Sequence, residues 1–151
     1  MTTITTEATP VTPDDFWGPP ISIYTRAQAI EDGVLVDVSD WAGAGPNGMM
    51  GGFRVPTVLT RALWDVVDLD ADDQVRWRQQ ARQRGESTRG RAHDVLFMTR
   101  LAAGQHPHAD RVHVAVLMTG EGKQGRLVRR TMRLLAVIDG DGITIGFPED
   151  F

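Results

Sequence analysis

Three β-rich runs close the chain, at residues 112–119, 127–139 and 143–147, and a glycine-bearing turn separates each from the next. The turns read Gly120-Glu121-Gly122-Lys123 and Asp139-Gly140-Asp141-Gly142, and Asp-Gly pairs between apolar runs are hairpin signals. The pattern predicts a three-stranded antiparallel meander with a type I′ turn at Asp139 to Gly142. Such a sheet has an apolar face that needs a second layer, and the chain upstream supplies helical patterns to cover it.

Thr25 is a good N-cap for a short helix carrying Ala27, Gln28, Ala29, Ile30 and Glu31, which Gly33 ends. The β-branched run 34–38 then predicts a strand, and Ser39 or Asp40 caps a helical turn bearing Trp41. Val58, Leu59, Ala62, Leu63, Val66 and Val67 recur at spacings of three and four, which predicts a helix over 56–68 opened by Pro56. Residues 70–84 are polar but helical in composition around Val75 and Trp77. A further helix is expected over 88–103, on the apolar face of Ala92, Val95, Leu96 and Met98, with Gly104 as its stop. The fold class is therefore α+β: a small antiparallel sheet, made of the C-terminal meander plus a candidate N-terminal strand, covered by two or three helices.

Residues 21–151 form the expected single globular domain, preceded by a Thr- and Pro-rich arm at 1–20 that is expected to be disordered or loosely docked. Phe16 and Trp17 interrupt that arm, either to clip it to the body, the favoured reading, or to stand exposed for a partner. Five glycines within 43–52 mark a loop.

The 151 residues include no cysteine, which excludes disulfides, thiolate nucleophiles and cysteine-based metal sites. No apolar run approaches the roughly 20 residues that span a bilayer. The first residues lack a secretory signal, so cytoplasmic residence is expected. A net charge of −4 conceals a segregation: residues 1–75 carry 12 acidic and 3 basic side chains, 76–133 carry 4 and 13, and 134–151 carry 4 acidic and no basic.

The chemistry-bearing residues do not assemble into a catalytic set. His106, His108, Asp110 and His113 are metal-ligand types, but no helix presents them at i, i+4 and no second cluster completes a shell. His93 and Asp94 are neighbours on a helix and point about 100° apart. The glycines of 43–52 lack the lysine of a phosphate-binding loop, and Ser22, Ser39 and Ser87 lack a nucleophile elbow. Asp139 and Asp141 are explained by their turn without calcium. No catalytic residue, metal or cofactor is assigned.

The arginines carry more information. Arg76, Arg78, Arg82, Arg84, Arg89 and Arg91 fall within 16 residues, and Arg126, Arg129, Arg130 and Arg133 follow on or near one strand. Alternation puts Arg129, Thr131 and Arg133 on one face of it and Val128, Met132, Leu134 and Ala136 on the other, with Arg130 near an edge. Three readings stay open: a solvated face, a phosphate or nucleic-acid contact, and a protein partner's acidic surface. The partner surface is placed on Phe16, Trp17, Arg76, Arg78, Arg82, Arg84, Arg129 and Arg133, because arginine and tryptophan dominate interface hot spots.

Residues 23–38, IYTRAQAIEDGVLVDV, resemble the opening signature of an uncharacterised family of small bacterial proteins found on phages, plasmids and other mobile elements. The resemblance continues through GFRVP at 52–56, LTRALW at 59–64 and DVLFM at 94–98. It implies a context and no catalytic residues. Within the opening, Tyr24, Arg26 and Asp37 read as a positioned polar set and form a candidate small site. The expected function is a non-enzymatic accessory protein that binds a host macromolecule, foremost a host protein, with defence components among the candidates. A nucleic-acid-binding module using the arginines is the alternative, and a small enzyme built on Tyr24, Arg26 and Asp37 or on His93 the second. No membrane partner is expected, and the oligomeric state is left open.

Overall fold

A computed structural model describes residues 24–43 and 53–151. The arm with Phe16 and Trp17, and nearly all of the glycine-rich loop, lie outside the described residues. Thr25 caps α1 (Arg26–Glu31) through a reciprocal pair with Gln28, and Gly33 leaves the helix at φ 79°. The chain continues through β1 (Leu35–Asp37) and α2 (Ser39–Ala42). Val38, not Ser39 or Asp40, is the residue that precedes α2, and the Asp37 carboxylate instead accepts from the Ser39 N–H at 2.9 Å.

The helix expected over 56–68 is two elements. Thr57–Thr60 is a strand, β2, and only Arg61–Val67 is helical, as α3. All four residues of β2 are buried between β1, antiparallel on one side, and the last strand, parallel on the other. A short, fully buried apolar run has no alternation to reveal it, and spacing alone does not distinguish it from a helical turn. Thr60 then turns strand into helix by accepting the Leu63 N–H on its hydroxyl.

The polar stretch after α3 is helical only over Arg76–Gln83, as α4, because Asp72 and Asp68 use their carboxylates on local N–H groups and hold 68–74 in turns. Ser87 caps α5, Thr88–Gln105, which runs through Gly104. The meander follows as β3 (Arg111–Glu121), β4 (Leu127–Asp139) and β5 (Gly142–Gly146). The sheet order is β1-β2-β5-β4-β3. The fold is α+β, a mostly antiparallel five-stranded sheet packed against three main helices.

The β4–β5 turn is not type I′. That turn needs φ > 0 at both central residues, whereas here neither Gly140 nor Asp141 is in that region, and the positive φ falls on Gly142, at 131°.

On one face of the sheet Val112, Val114, Val116 and Met118 join Met132, Leu134, Ala136, Ile143, Ile145 and Leu59. This face packs on Leu63 and Val67 of α3 and on Ala92, Val95 and Leu96 of α5. A second, smaller cluster of Leu69, Trp77 and Ala81, with Val75 and Leu127 against it, docks α4 near the tip of the β3–β4 hairpin. Gln80 fastens this contact by accepting the Leu127 N–H at 2.9 Å. No helix among the described residues is long and apolar enough to cross a membrane.

A candidate basic interface

The core-facing register of the hairpin decides what its other face shows. With Val112 to Met118 directed inward at every second residue, Arg111, His113, Ala115 and Leu117 of β3 face outward beside Arg129, Thr131 and Arg133 of β4, and all are exposed. Arg129 and Arg133 thus share the face on which strand alternation places them. Arg130 points to the core side, opposite Met118, but lies beyond the end of β5, which pairs only with Leu135 to Asp139. It therefore stands at an open edge.

The first arginine segment divides. Arg84, at the end of α4, lines an open cleft of about 1150 Å³ against the hairpin tip, together with Lys123, Arg126 and Arg130. Gln80, Gln83, Gly122, Leu127 and Val128 also line it, and Glu121 is its one acidic group among the described residues. Arg84 also borders a neighbouring cleft with Arg129, so the two arginine segments meet around the hairpin tip. Arg76 is exposed on the first turn of α4.

Arg78 and Arg82 are turned inward. Arg78 donates to the carbonyls of Asp65 at 2.7 Å and Asp68 at 3.1 Å, and its guanidinium lies over the Trp77 ring. Arg82 donates to the Leu69 carbonyl. These are the carbonyls that end α3 and begin the following turn, so both side chains close a helix terminus.

Arg91 goes furthest in this direction, with 3% of its surface exposed. Its Nη2 donates to the carbonyls of Val66 and Thr119, both at 2.7 Å, and its Nε to Val66 at 3.2 Å. Its Nη1 reaches Thr119 Oγ1 at 2.7 Å and Glu86 at 3.0 Å. Burial lowers its pKa from the ordinary arginine value, and the Glu86 carboxylate opposes that shift. Its sequence signal is the spacing of Arg91, Val95 and Thr99, three buried residues four apart. Lys123 had no such signal, because only the docking of α4 on the hairpin brings a turn lysine to Arg84.

Tyr24, Arg26 and Asp37 do come together, around a second cleft of about 570 Å³ with Pro56 and Asp141. Their polar groups are largely engaged by the fold. Arg26 of α1 donates to Thr144 Oγ1 at 3.1 Å and to the Ile143 carbonyl at 2.7 Å, which ties α1 to β5. The Tyr24 hydroxyl donates to Asp32 at 2.6 Å. That hydrogen bond, and the carboxylate's charge, raise the Tyr24 pKa above 10.0. Because the folded value exceeds the unfolded one, this bond supports the fold below the unfolded pKa and is lost as pH rises through the folded one. Tyr24 is the single tyrosine of the chain, so tyrosinate absorbance titrates it alone. We expect its midpoint above 10.0 and a return toward that value in Asp32→Asn; an unshifted midpoint in the native protein would contradict the bond.

The remaining chemical candidates are dispersed. His93 stacks on Phe97 with ring centroids 5.9 Å apart, and its Nδ1 lies 3.4 Å from the Asp94 carboxylate on an exposed helix face. Among the described residues no group of His, Asp and Glu is placed to hold a metal ion.

No curated protein and no solved structure matches this chain. A family model does, over residues 18–151, which takes in the whole sheet and every helix described above: the chain belongs to the family of unknown function DUF6573.

Proposed function

We propose that the protein is a non-enzymatic binding module that captures an acidic protein surface at the hairpin-tip cleft. The observation that carries this reading is the convergence of Arg84, Lys123, Arg126 and Arg130 from two separate elements, with Glu121 as the only counter-charge in the cleft among the described residues. Arginine forks in a partly apolar setting, here Leu127 and Val128, suit carboxylate recognition by paired hydrogen bonds. A nucleic acid fits less well: among the described residues no aromatic side chain lines the cleft for a base to stack on, and Glu121 repels phosphate. The resemblance to mobile-element proteins supports a host protein as the partner, one concerned with defence included.

Fluorescence titrations with an oligoglutamate peptide and with single- and double-stranded DNA test the reading. The peptide is expected to bind, and Arg126→Glu with Arg130→Glu to weaken it at least about tenfold, a loss of about 1.4 kcal/mol. The melting temperature should stay within a few degrees, since exposed substitutions usually change stability by under about 0.5 kcal/mol. Tighter binding to DNA, with a log–log salt slope of about 0.7 to 0.9 per phosphate, would replace this reading with a nucleic-acid one. Peptide binding that survives the double reversal would move the interface off the cleft.

A further inference from the structure

Helices α3 and α5 cover one face of the sheet, and α1 begins on the other. Arg26 donates to Thr144 Oγ1, Thr144 pairs with Val137, and Val137 pairs in turn with Arg111. Thr144, Val137 and Arg111 thus stand in one row across β5, β4 and β3, on the side away from Ala136, Ile143 and Ile145 of the core. The chain that leads into α1 therefore enters on the face that carries Arg129 and Arg133.

Beyond α1 that face is exposed and unbalanced in charge. Arg111, His113, Arg129 and Arg133 are exposed on it, and its outward positions from Arg111 to Thr119 and from Arg129 to Val137 hold no carboxylate. Among the described residues no ion pair engages these three arginines. Ala115 and Leu117, the latter 56% exposed, give the same face an apolar patch.

The chain ahead of Tyr24 has the complementary composition. Residues 1–23 carry Glu7, Asp14 and Asp15 and no basic side chain, and the two aspartates run directly into Phe16 and Trp17. Trp17 is seven residues before Tyr24, a span of up to about 24 Å. Ala115 and Leu117 lie about 13 and 20 Å along β3 from the row that holds Thr144, and neighbouring strands are about 5 Å apart. The aromatic pair therefore reaches the apolar patch, and the aspartates just before it reach Arg133 and Arg129.

We propose that Asp14-Asp15-Phe16-Trp17 docks on the outward face of the β3–β4 hairpin, with its rings on Ala115 and Leu117 and its carboxylates on Arg129 and Arg133. Guanidinium–carboxylate pairs beside aromatic surface that excludes water are stronger than the same pairs in open solvent. The tether selects this occupant over a free acidic protein, because a segment on a short linker is present at millimolar effective concentration. The docked arm covers Arg129 and Arg133 but not the cleft of Arg84, Lys123, Arg126 and Arg130. This contact is therefore independent of the function proposed for that cleft.

Limited proteolysis of the full chain with chymotrypsin, which cuts after Phe16 and Trp17, tests this. Because cleavage tracks the population of the open form, loss of the arm should be at least about tenfold slower than cleavage of a synthetic peptide of residues 10–22. Arg129→Glu with Arg133→Glu should remove the protection, as should Asp14→Arg with Asp15→Arg, and the two pairs combined should restore it. Arg126→Glu with Arg130→Glu should leave it unchanged. A second measurement keeps every charge of the contact: in this cysteine-free chain, Gly18→Cys with Thr131→Cys should form a disulfide within one molecule at least about tenfold faster than Gly18→Cys with Arg76→Cys on α4. An arm cleaved as fast as the peptide overturns the proposal, as does protection that survives either reversal, a combined variant that stays unprotected, or equal oxidation rates for the two cysteine pairs. Protection that grows with protein concentration also overturns it, by assigning the face to the arm of a second copy.

Discussion

Replacing Arg91 by methionine is expected to destabilise the protein by about 3–5 kcal/mol, although the two side chains are similar in length. The guanidinium is the one group that touches the end of α3, the start of α5, the loop at Glu86 and β3 together. Its loss strands the Val66 and Thr119 carbonyls, which accept from no other donor among the described residues. An unpaired buried acceptor costs about 1–3 kcal/mol, so two of them outweigh what burying the methionine returns. Trp77, whose ring centroid lies 5.5 Å from the guanidinium carbon, also loses a cation–π contact. Arg91→Lys keeps the charge but not the fork, and should fall between the two. Urea unfolding measures the difference, and a loss under about 1 kcal/mol for Arg91→Met would show that water or a neighbour takes over its bonds.

The same residue shows where the sequence was legible and where it was not. The meander, the capped α1 and the long α5 are visible because each rests on local signals: Asp-Gly turns, Thr25 as an N-cap, and the recurring apolar face of Ala92, Val95, Leu96 and Met98. Arg129 and Arg133 are placed by strand alternation, which needs only a period of two. What failed needed tertiary contact. Val58 and Leu59 fit a helical spacing with Ala62 and Leu63, and only pairing with β1 and β5 makes 57–60 a strand. Arg78, Arg82 and Arg91 look like members of one basic surface, yet all three turn to backbone carbonyls, and composition does not separate a structural arginine from an exposed one. The grouping of Arg84 with Lys123, Arg126 and Arg130 depends on how α4 docks, through Trp77 and Leu127, against a hairpin more than 40 residues away in the chain.

Gly142→Ala is expected to destabilise by more than about 3 kcal/mol, while Gly140→Ala in the same turn changes stability by under about 0.5 kcal/mol. As sequence the two glycines are equivalent, each following an aspartate. In the folded chain Gly142 has φ 131°, a conformation that side chains rarely adopt, and a Cβ there would be driven into the Pro56 carbonyl. That carbonyl accepts the Ile143 N–H at 2.9 Å, the bond that opens the parallel pairing of β2 with β5. Arg26 also reaches the Pro56 and Ile143 carbonyls, at 3.4 and 2.7 Å, so α1 is seated on the same junction. A methyl group would wedge apart the one place where the N-terminal half of the sheet joins the meander, and backbone on both sides leaves nothing flexible to yield. Gly140 has open space around it and no positive φ. Thermal melting separates the two outcomes, because at about 2–4 °C per kcal/mol the Gly142 variant should melt lower by roughly 10 °C. Its amide exchange should quicken first in β2 and at Ile143, with the β3–β4 ladder protected longest. Equal melting temperatures for the two variants would mean that the β2–β5 junction contributes little to stability, and that the hairpin with its helices carries the fold.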